Sequence, residues 1–259
     1  MLGKGVTLRN KSLGPIIALA ALVAIWWAVV AVFALPEYLL PGPGLVAATF
    51  QADAASFMAH AGQTALEGLL GFAIALIAGF LGGIILFRFE TLRRTFLPWT
   101  SALQAIPVVA IAPLLVVWFG SGLSAKVVMS AIISFFPILN AVLVGFAEVE
   151  RDREALFRIY QTSYFKRLRH LLLPSSLPTL VMGIKISAGL AILGAIIAEM
   201  TGADHGLGFL ILNASYRLET PTLFVAIFIS GALGWTAYTL PDTLRWLLPR
   251  YWESARHQI

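Results

Sequence analysis

The sequence has no cysteine among its 259 residues and carries little charge. The first absence excludes disulfides, thiolate-bound zinc, iron–sulfur clusters and cysteine nucleophiles. The second says more about class. Asp, Glu, Lys and Arg make up 12% of the chain, against about 25% in an ordinary soluble domain. Catalytic motifs are also missing. No Gly-x4-Gly-Lys-[Ser/Thr] phosphate cradle occurs, and Gly3-Lys4 lacks the upstream glycine. No His-Glu-x-x-His or other His–carboxylate cluster offers a metal site. His60, His170, His205 and His257 fall in expected loops or a tail, which counts against a Ser–His protease inside a membrane. Transport, a channel or a structural role remain.

What is present is apolar sequence, 59% of the chain. A helix crossing a hydrocarbon core of about 30 Å needs about 20 residues. Six segments qualify: 15–35, 64–87, 96–119, 125–147, 179–200 and 222–240. The expected fold class is an all-α membrane protein with six transmembrane helices. The basic N-terminus followed by 15–35 invites comparison with a signal peptide, but the apolar run exceeds a typical h-region and shows no small-residue cleavage site. It reads as a retained span. Residues 1–14 and 246–259 form tails around one membrane domain, 15–245, and 35–62 connects spans one and two. The third span carries Pro98, Pro107 and Pro113 and is expected to kink or break, because proline removes a backbone donor.

The net charge of +5 is explained by topology rather than nucleic acid. Fifteen of the 18 Lys and Arg residues fall in the tails, after span two, and in the loop 151–178. Only Lys126 and Arg217 lie on the opposite side, and Lys185 lies within span five. The positive-inside rule puts both termini and the 151–178 loop in the cytoplasm. Trp26, Trp27, Trp99, Trp118, Trp235, Trp246 and Trp252 read as interface anchors or packing.

Charges within spans are the usual pointers to a pathway. Glu67 sits one turn inside the outer end of span two and is expected to reach the headgroups. Lys185 and Glu199 share span five but lie 14 positions apart, roughly 21 Å along the helix, and cannot pair. Each either reaches an interface or stands on the pathway. No row of charges marks a proton relay or voltage sensor, which counts against an ion-coupled carrier. Glycines crowd span two (Gly68, Gly71, Gly79, Gly82, Gly83) and recur in span five (Gly183, Gly189, Gly194), consistent with close helix packing.

The 151–178 loop is the least ordinary connection. It holds six basic residues, an amphipathic helical pattern and a Leu173-Pro174 pair followed by Pro178. This ending resembles the Glu-Ala-Ala loop of permease subunits of bacterial ABC importers. The start departs from the family pattern, since Gln161 stands where a turn glycine is expected and Ala155, Leu156 and Phe157 where Glu-Ala-Ala is expected. Residues 35–46 (LPEYLLPGPGLV), 106–122 (IPVVAIAPLLVVWFGSG), 135–139 (FFPIL) and 198–211 (AEMTGADHGLGFLI) are similar to the nitrate, sulfonate, taurine and thiamine-precursor branch.

The resemblance implies a type I importer fold, with one peripheral span and a five-helix core. It also implies a second permease copy, two ATP-binding subunits carrying ATP and Mg, and an extracytoplasmic substrate-binding protein, all at the bacterial inner membrane. No cofactor and no enzymatic step is expected on this chain, and no nucleic acid partner. Residues 158–165 would form a coupling helix in a groove of the ATPase, with Arg158, Tyr160, Gln161, Thr162, Ser163, Tyr164, Phe165 and Pro174 as its working positions. Tyr160, Tyr164 and Phe165 would be the apolar anchors. Lys185 and Glu199 are the pathway or gating candidates. The alternatives are an ATP-independent channel or ion-coupled carrier, and a scaffold without a pathway. The substrate is a small organic or heterocyclic solute or an oxyanion, and the scarcity of mid-membrane cations leans toward the former.

Overall fold

The computed structural model describes residues 13–243, excluding the side chains at 13, 101, 103–105, 151 and 158. The tail charges and Trp246, Trp252 and His257 lie outside these residues. The described chain is helical: α1 (Leu13–Phe33), α2 (Pro43–Ala52), α3 (Ala54–Arg88), α4 (Glu90–Ala105), α5 (Val108–Phe119), α6 (Leu123–Ala147) and α7 (Arg151–Ile159). There follow α8 (Tyr164–Arg167), a π-helical turn (Leu168–Leu172), α9 (Leu173–Glu199), α10 (Leu207–Arg217), α11 (Thr220–Thr239) and a 3₁₀ turn (Leu240–Thr243).

Among the described residues, five helical stretches are long and apolar enough to cross a membrane: Gly14–Phe33, Ala54–Arg88, Leu123–Ala147, Tyr164–Glu199 and Thr220–Thr243. The expected third span is not one helix. It breaks between Ala105 and Val108, with Pro107 as the N-cap of α5. Pro107 has no N–H to give to the preceding turn, and its ring keeps Ile106 out of helical geometry. At 12 residues, α5 is about 18 Å long and cannot span alone. Helix α3 is longer than expected. Its 35 residues extend about 52 Å, so its first turns fill part of the expected connection, and His60 is helical.

The core is the packing of α3, α6 and α9, and small residues set how closely they approach. A Cβ on Gly83 would lie 2.6 Å from Val142 Cβ, and one on Gly194 would lie 2.7 Å from Ser130 Cα. Without side chains there, α6 meets α3 on one side and α9 on the other at near-backbone distance. Hydroxyls then bridge the seam: Ser130 Oγ donates to the Ala191 carbonyl at 2.8 Å, and Ser187 Oγ to the Ser134 carbonyl at 2.7 Å. Helix α1 stays peripheral. Its side chains are largely exposed, and it touches the rest through Trp26, stacked on Phe224 of α11 at 5.7 Å.

Candidate functional site

One end of the bundle carries a helical corner. Helix α7 stops at Ile159 because Gln161 adopts φ +46, in the left-handed region. The Thr162 amide then donates to the Phe157 carbonyl at 3.2 Å, and Thr162 Oγ1 to the same oxygen at 2.8 Å. This is a Schellman-type stop with glutamine in the place usually taken by glycine. Ser163 Oγ accepts the Lys166 amide at 3.5 Å and caps the next helix. Residues 158–165 are therefore a turn between two helices, not a single coupling helix.

The chain leaves the corner as one helical stretch from Tyr164 to Glu199, widened to π geometry at Leu168–Leu172. The Leu173 amide donates five residues back, to the Leu168 carbonyl. Pro174 follows immediately and has no amide to donate. A wider turn before a proline spares the ladder a clash with its ring.

The corner has two faces. Phe157 and Leu168 pack onto a buried cluster of Val142, Phe146, Leu171 and Leu172. Tyr164 also turns toward the bundle: the Arg88 guanidinium stacks over its ring at 5.2 Å, and its hydroxyl is buried with no hydrogen-bond partner among the described residues. The opposite face leaves Leu156, Ile159, Tyr160 and Phe165 exposed, Tyr160 at 78% and Phe165 at 68%. Arg167 Nη2 meets Glu154 Oε1 at 2.7 Å and holds α8 against α7. The backbone of Arg158 lies on α7; its side chain is outside the description.

A second constellation, at the other end of α3, α6 and α9, was missed in the sequence. Lys126 opens α6, where it is buried, and its Nζ lies 3.3 Å from Glu67 Oε1. Glu67 is completely buried and also accepts from Gln63 Nε2 at 2.8 Å. It does not reach the headgroups, because a lysine one helix away neutralises it where it stands. Glu199 is buried as well. Its Oε1 accepts from Thr64 Oγ1 at 2.7 Å and its Oε2 from the Gly208 amide at 2.6 Å. The Leu207 amide donates to Thr64 Oγ1 and the Gly206 amide to His60 Nδ1, each at 2.9 Å.

Three consecutive amides at the start of α10 are thus held by side chains of α3 and α9, where a helix leaves donors unpaired. Gly206, at φ +108, has no room for a Cβ, which would collide with the Glu199 carboxylate. The sequence signal was His60, Thr64 and Glu67 at helical spacing, and two glycines just beyond Glu199.

Lys185 does not simply reach an interface either. Buried in α9, its Nζ meets Asp242 Oδ2 at 2.5 Å and lies over the Tyr238 ring at 4.5 Å. The structure does not bring Lys185 and Glu199 together; each belongs to its own cluster.

A peripheral helix, a proline-broken span, a glycine-packed three-helix core and a proline-bounded corner define a membrane permease subunit. Residues 71–250 match the family model described as the inner membrane component of binding-protein-dependent transport systems. The chain belongs to that family. It is 35% identical to the riboflavin transport system permease protein of Chloroflexus aurantiacus, over 94% of this chain and 91% of that one. It is 32% identical to the formylaminopyrimidine transport permease protein of Halalkalibacterium halodurans, over 86% and 90%. Its fold is similar to a chain of the inward-facing MetNI methionine ABC transporter, with TM-score 0.66 and 19% identity over 73% of this chain and 94% of that one. The protein is a type I ABC importer permease of the branch that includes these relatives, the inner membrane component of a binding-protein-dependent transport system.

Proposed function

We propose that two copies of this chain form an alternating-access pathway, and that the 158–165 corner of each docks a separate ATP-binding subunit, which carries ATP and Mg. The observation that carries this reading is the split of the corner's residues. Phe157 and Tyr164 face the bundle, while Leu156, Ile159, Tyr160 and Phe165 face outward. Outward apolar groups at the end of a membrane bundle fit an apolar groove on a partner. The inward groups, packed on the ends of α3, α6 and α9, give that partner a grip on the core. The Lys and Arg distribution supports a cytoplasmic position for this corner and both termini.

The substrate we propose is a small uncharged or heterocyclic solute. Lys126 and Lys185, the buried lysines among the described residues, each face a carboxylate already. An oxyanion passing them would have to compete with Glu67 or Asp242. The riboflavin and formylaminopyrimidine systems of the relatives agree with this class.

The lack of cysteine provides the test. Single Tyr160→Cys and Phe165→Cys variants, paired with cysteines along the groove of the ATP-binding subunit, are expected to form disulfide cross-links when a mild oxidant is added. In proteoliposomes, solute uptake is expected only with that subunit and ATP. Uptake by the permease alone would sink the reading in favour of a channel or carrier.

A further inference from the structure

Glu67 and Glu199 come from different helices and meet inside the protein, 0% and 1% exposed. Thr64, which donates to Glu199, lies one turn before Glu67 on α3, so the two carboxyl groups are neighbours. The groups around them are few. Helix α3 contributes His60, Gln63 and Thr64, α6 contributes Lys126, and the segment after α9 contributes Asp204 and His205. His60 is occupied with the Gly206 amide and stacks on His205, whose Nδ1 lies 3.0 Å from Asp204 Oδ1. Lys126 is the one ammonium facing the pair among the described residues.

Two carboxylates and one ammonium leave one negative charge uncompensated in a buried site. A buried charge is tolerated only when paired and hydrogen-bonded. The hydrogen bonds show the same deficit. Glu67 Oε1 has two donors, but Oε2 is buried and has none among the described residues. Glu199 has a neutral donor on each oxygen and no cation on either. One proton on Glu199, directed at Glu67, removes both deficits together. It balances the charge and provides the donor that Glu67 lacks.

We infer that Glu67 and Glu199 share a single proton in the resting protein, making the Glu67–Lys126–Glu199 cluster neutral and fastening the start of α10 to the core. Glu199 is then a positioning residue. Through it and Thr64, the external segment 200–217 moves together with the ends of α3, α6 and α9. Pulling that segment away would strand the Glu199 carboxyl group and three backbone amides.

Infrared spectroscopy tests the proton directly. The full permease, assembled with its ATP-binding subunits in lipid nanodiscs, is labelled with carboxyl-13C glutamate in the permease alone. At neutral pH the wild type should show one isotope-shifted carboxylic-acid C=O band that moves in D2O. Glu199→Gln should abolish it. So should Glu67→Gln, because Lys126 then ionises the remaining acid. The double variant Glu67→Gln/Lys126→Met should restore it, since the band follows charge balance rather than a particular residue. Absence of the band in the wild type, its survival in Glu199→Gln, or its survival in Glu67→Gln would each overturn the inference. If Glu67→Gln does not assemble, Glu199→Gln and the double variant still decide. As a structural control, Glu199→Gln should melt close to the wild type and Glu199→Ala well below it.

Discussion

Thr64 Oγ1 lies 2.7 Å from Glu199 Oε1 and joins residues 135 positions apart. The same hydroxyl accepts the Leu207 amide at 2.9 Å, so one side chain ties three segments. Thr64→Val keeps the shape and removes both bonds, leaving a buried amide and a buried carboxyl oxygen unpaired. Each orphan costs about 1–3 kcal/mol. The variant is expected to lower the melting temperature of the permease in nanodiscs clearly, and Thr64→Ser to restore it. A Thr64→Val protein that melts with the wild type would show that the bond contributes nothing.

Gln161 carries the corner in a backbone region that costs an L-residue about 1 kcal/mol. Gln161→Gly is expected to stabilise the permease by up to about 1 kcal/mol, offset in part by the greater freedom of glycine when unfolded. Gln161→Val should destabilise it, because a β-branched residue fits that region worst. Thermal unfolding of the two variants beside the wild type checks the order. If Gln161→Gly is less stable, the Gln161 side chain makes a contribution larger than the backbone strain it causes.

Most of the membrane spans were legible in the sequence because they are set by local composition, whereas the early start of α3 and the short helices α2 and α10 were not. A kink or break in the third span was legible from Pro98, Pro107 and Pro113, but not that Pro107 would make it while the other two stay inside helices. The turn at Gln161 was not: glutamine has no preference for that geometry, and tertiary packing of Phe157 and Tyr164 on the bundle selects it. The polar cluster failed for a different reason. Lys126 looks like a loop charge and Glu67 like a headgroup-seeking acid when each is read alone. Only the parallel packing of α3 beside α6 makes them a pair. Asp242 likewise lies 57 positions from Lys185, and no spacing rule links them.

That pair makes its own prediction. Lys185 is almost buried, whereas the Asp242 side chain is 35% exposed, so solvent screens part of the attraction. Lys185→Met is expected to destabilise the permease by about 2 kcal/mol, less than for a fully buried pair. The Lys185→Met/Asp242→Asn double variant should lose less than the sum of the single losses, with a coupling of about 1 kcal/mol. Among the described residues, Asp242→Asn leaves the buried ammonium only the Tyr238 ring, whereas Lys185→Met leaves a carboxylate that solvent reaches, so Asp242→Asn should cost at least as much. Strict additivity in thermal unfolding would show that the two groups are independent.

The corner separates docking from folding, and its three aromatic residues should behave differently. Tyr160 and Phe165 are exposed, so their truncation removes little packing and should leave the melting temperature of the permease unchanged. If they fill pockets on the ATP-binding subunit, each is worth about 2 kcal/mol of association, roughly 30-fold in affinity. Tyr164 sits under Arg88 with its hydroxyl buried and unpartnered among the described residues. Tyr164→Phe should be neutral or slightly stabilising, since it removes a polar group that no partner satisfies. Tyr164→Ala should lower the melting temperature by opening space between α8 and the end of α3. Titration of the ATP-binding subunit against permease in nanodiscs, together with thermal unfolding, reads both properties. If Tyr160→Ala and Phe165→Ala hold that subunit as tightly as the wild type and keep full transport-coupled ATPase activity, the corner's exposed face is not the docking surface.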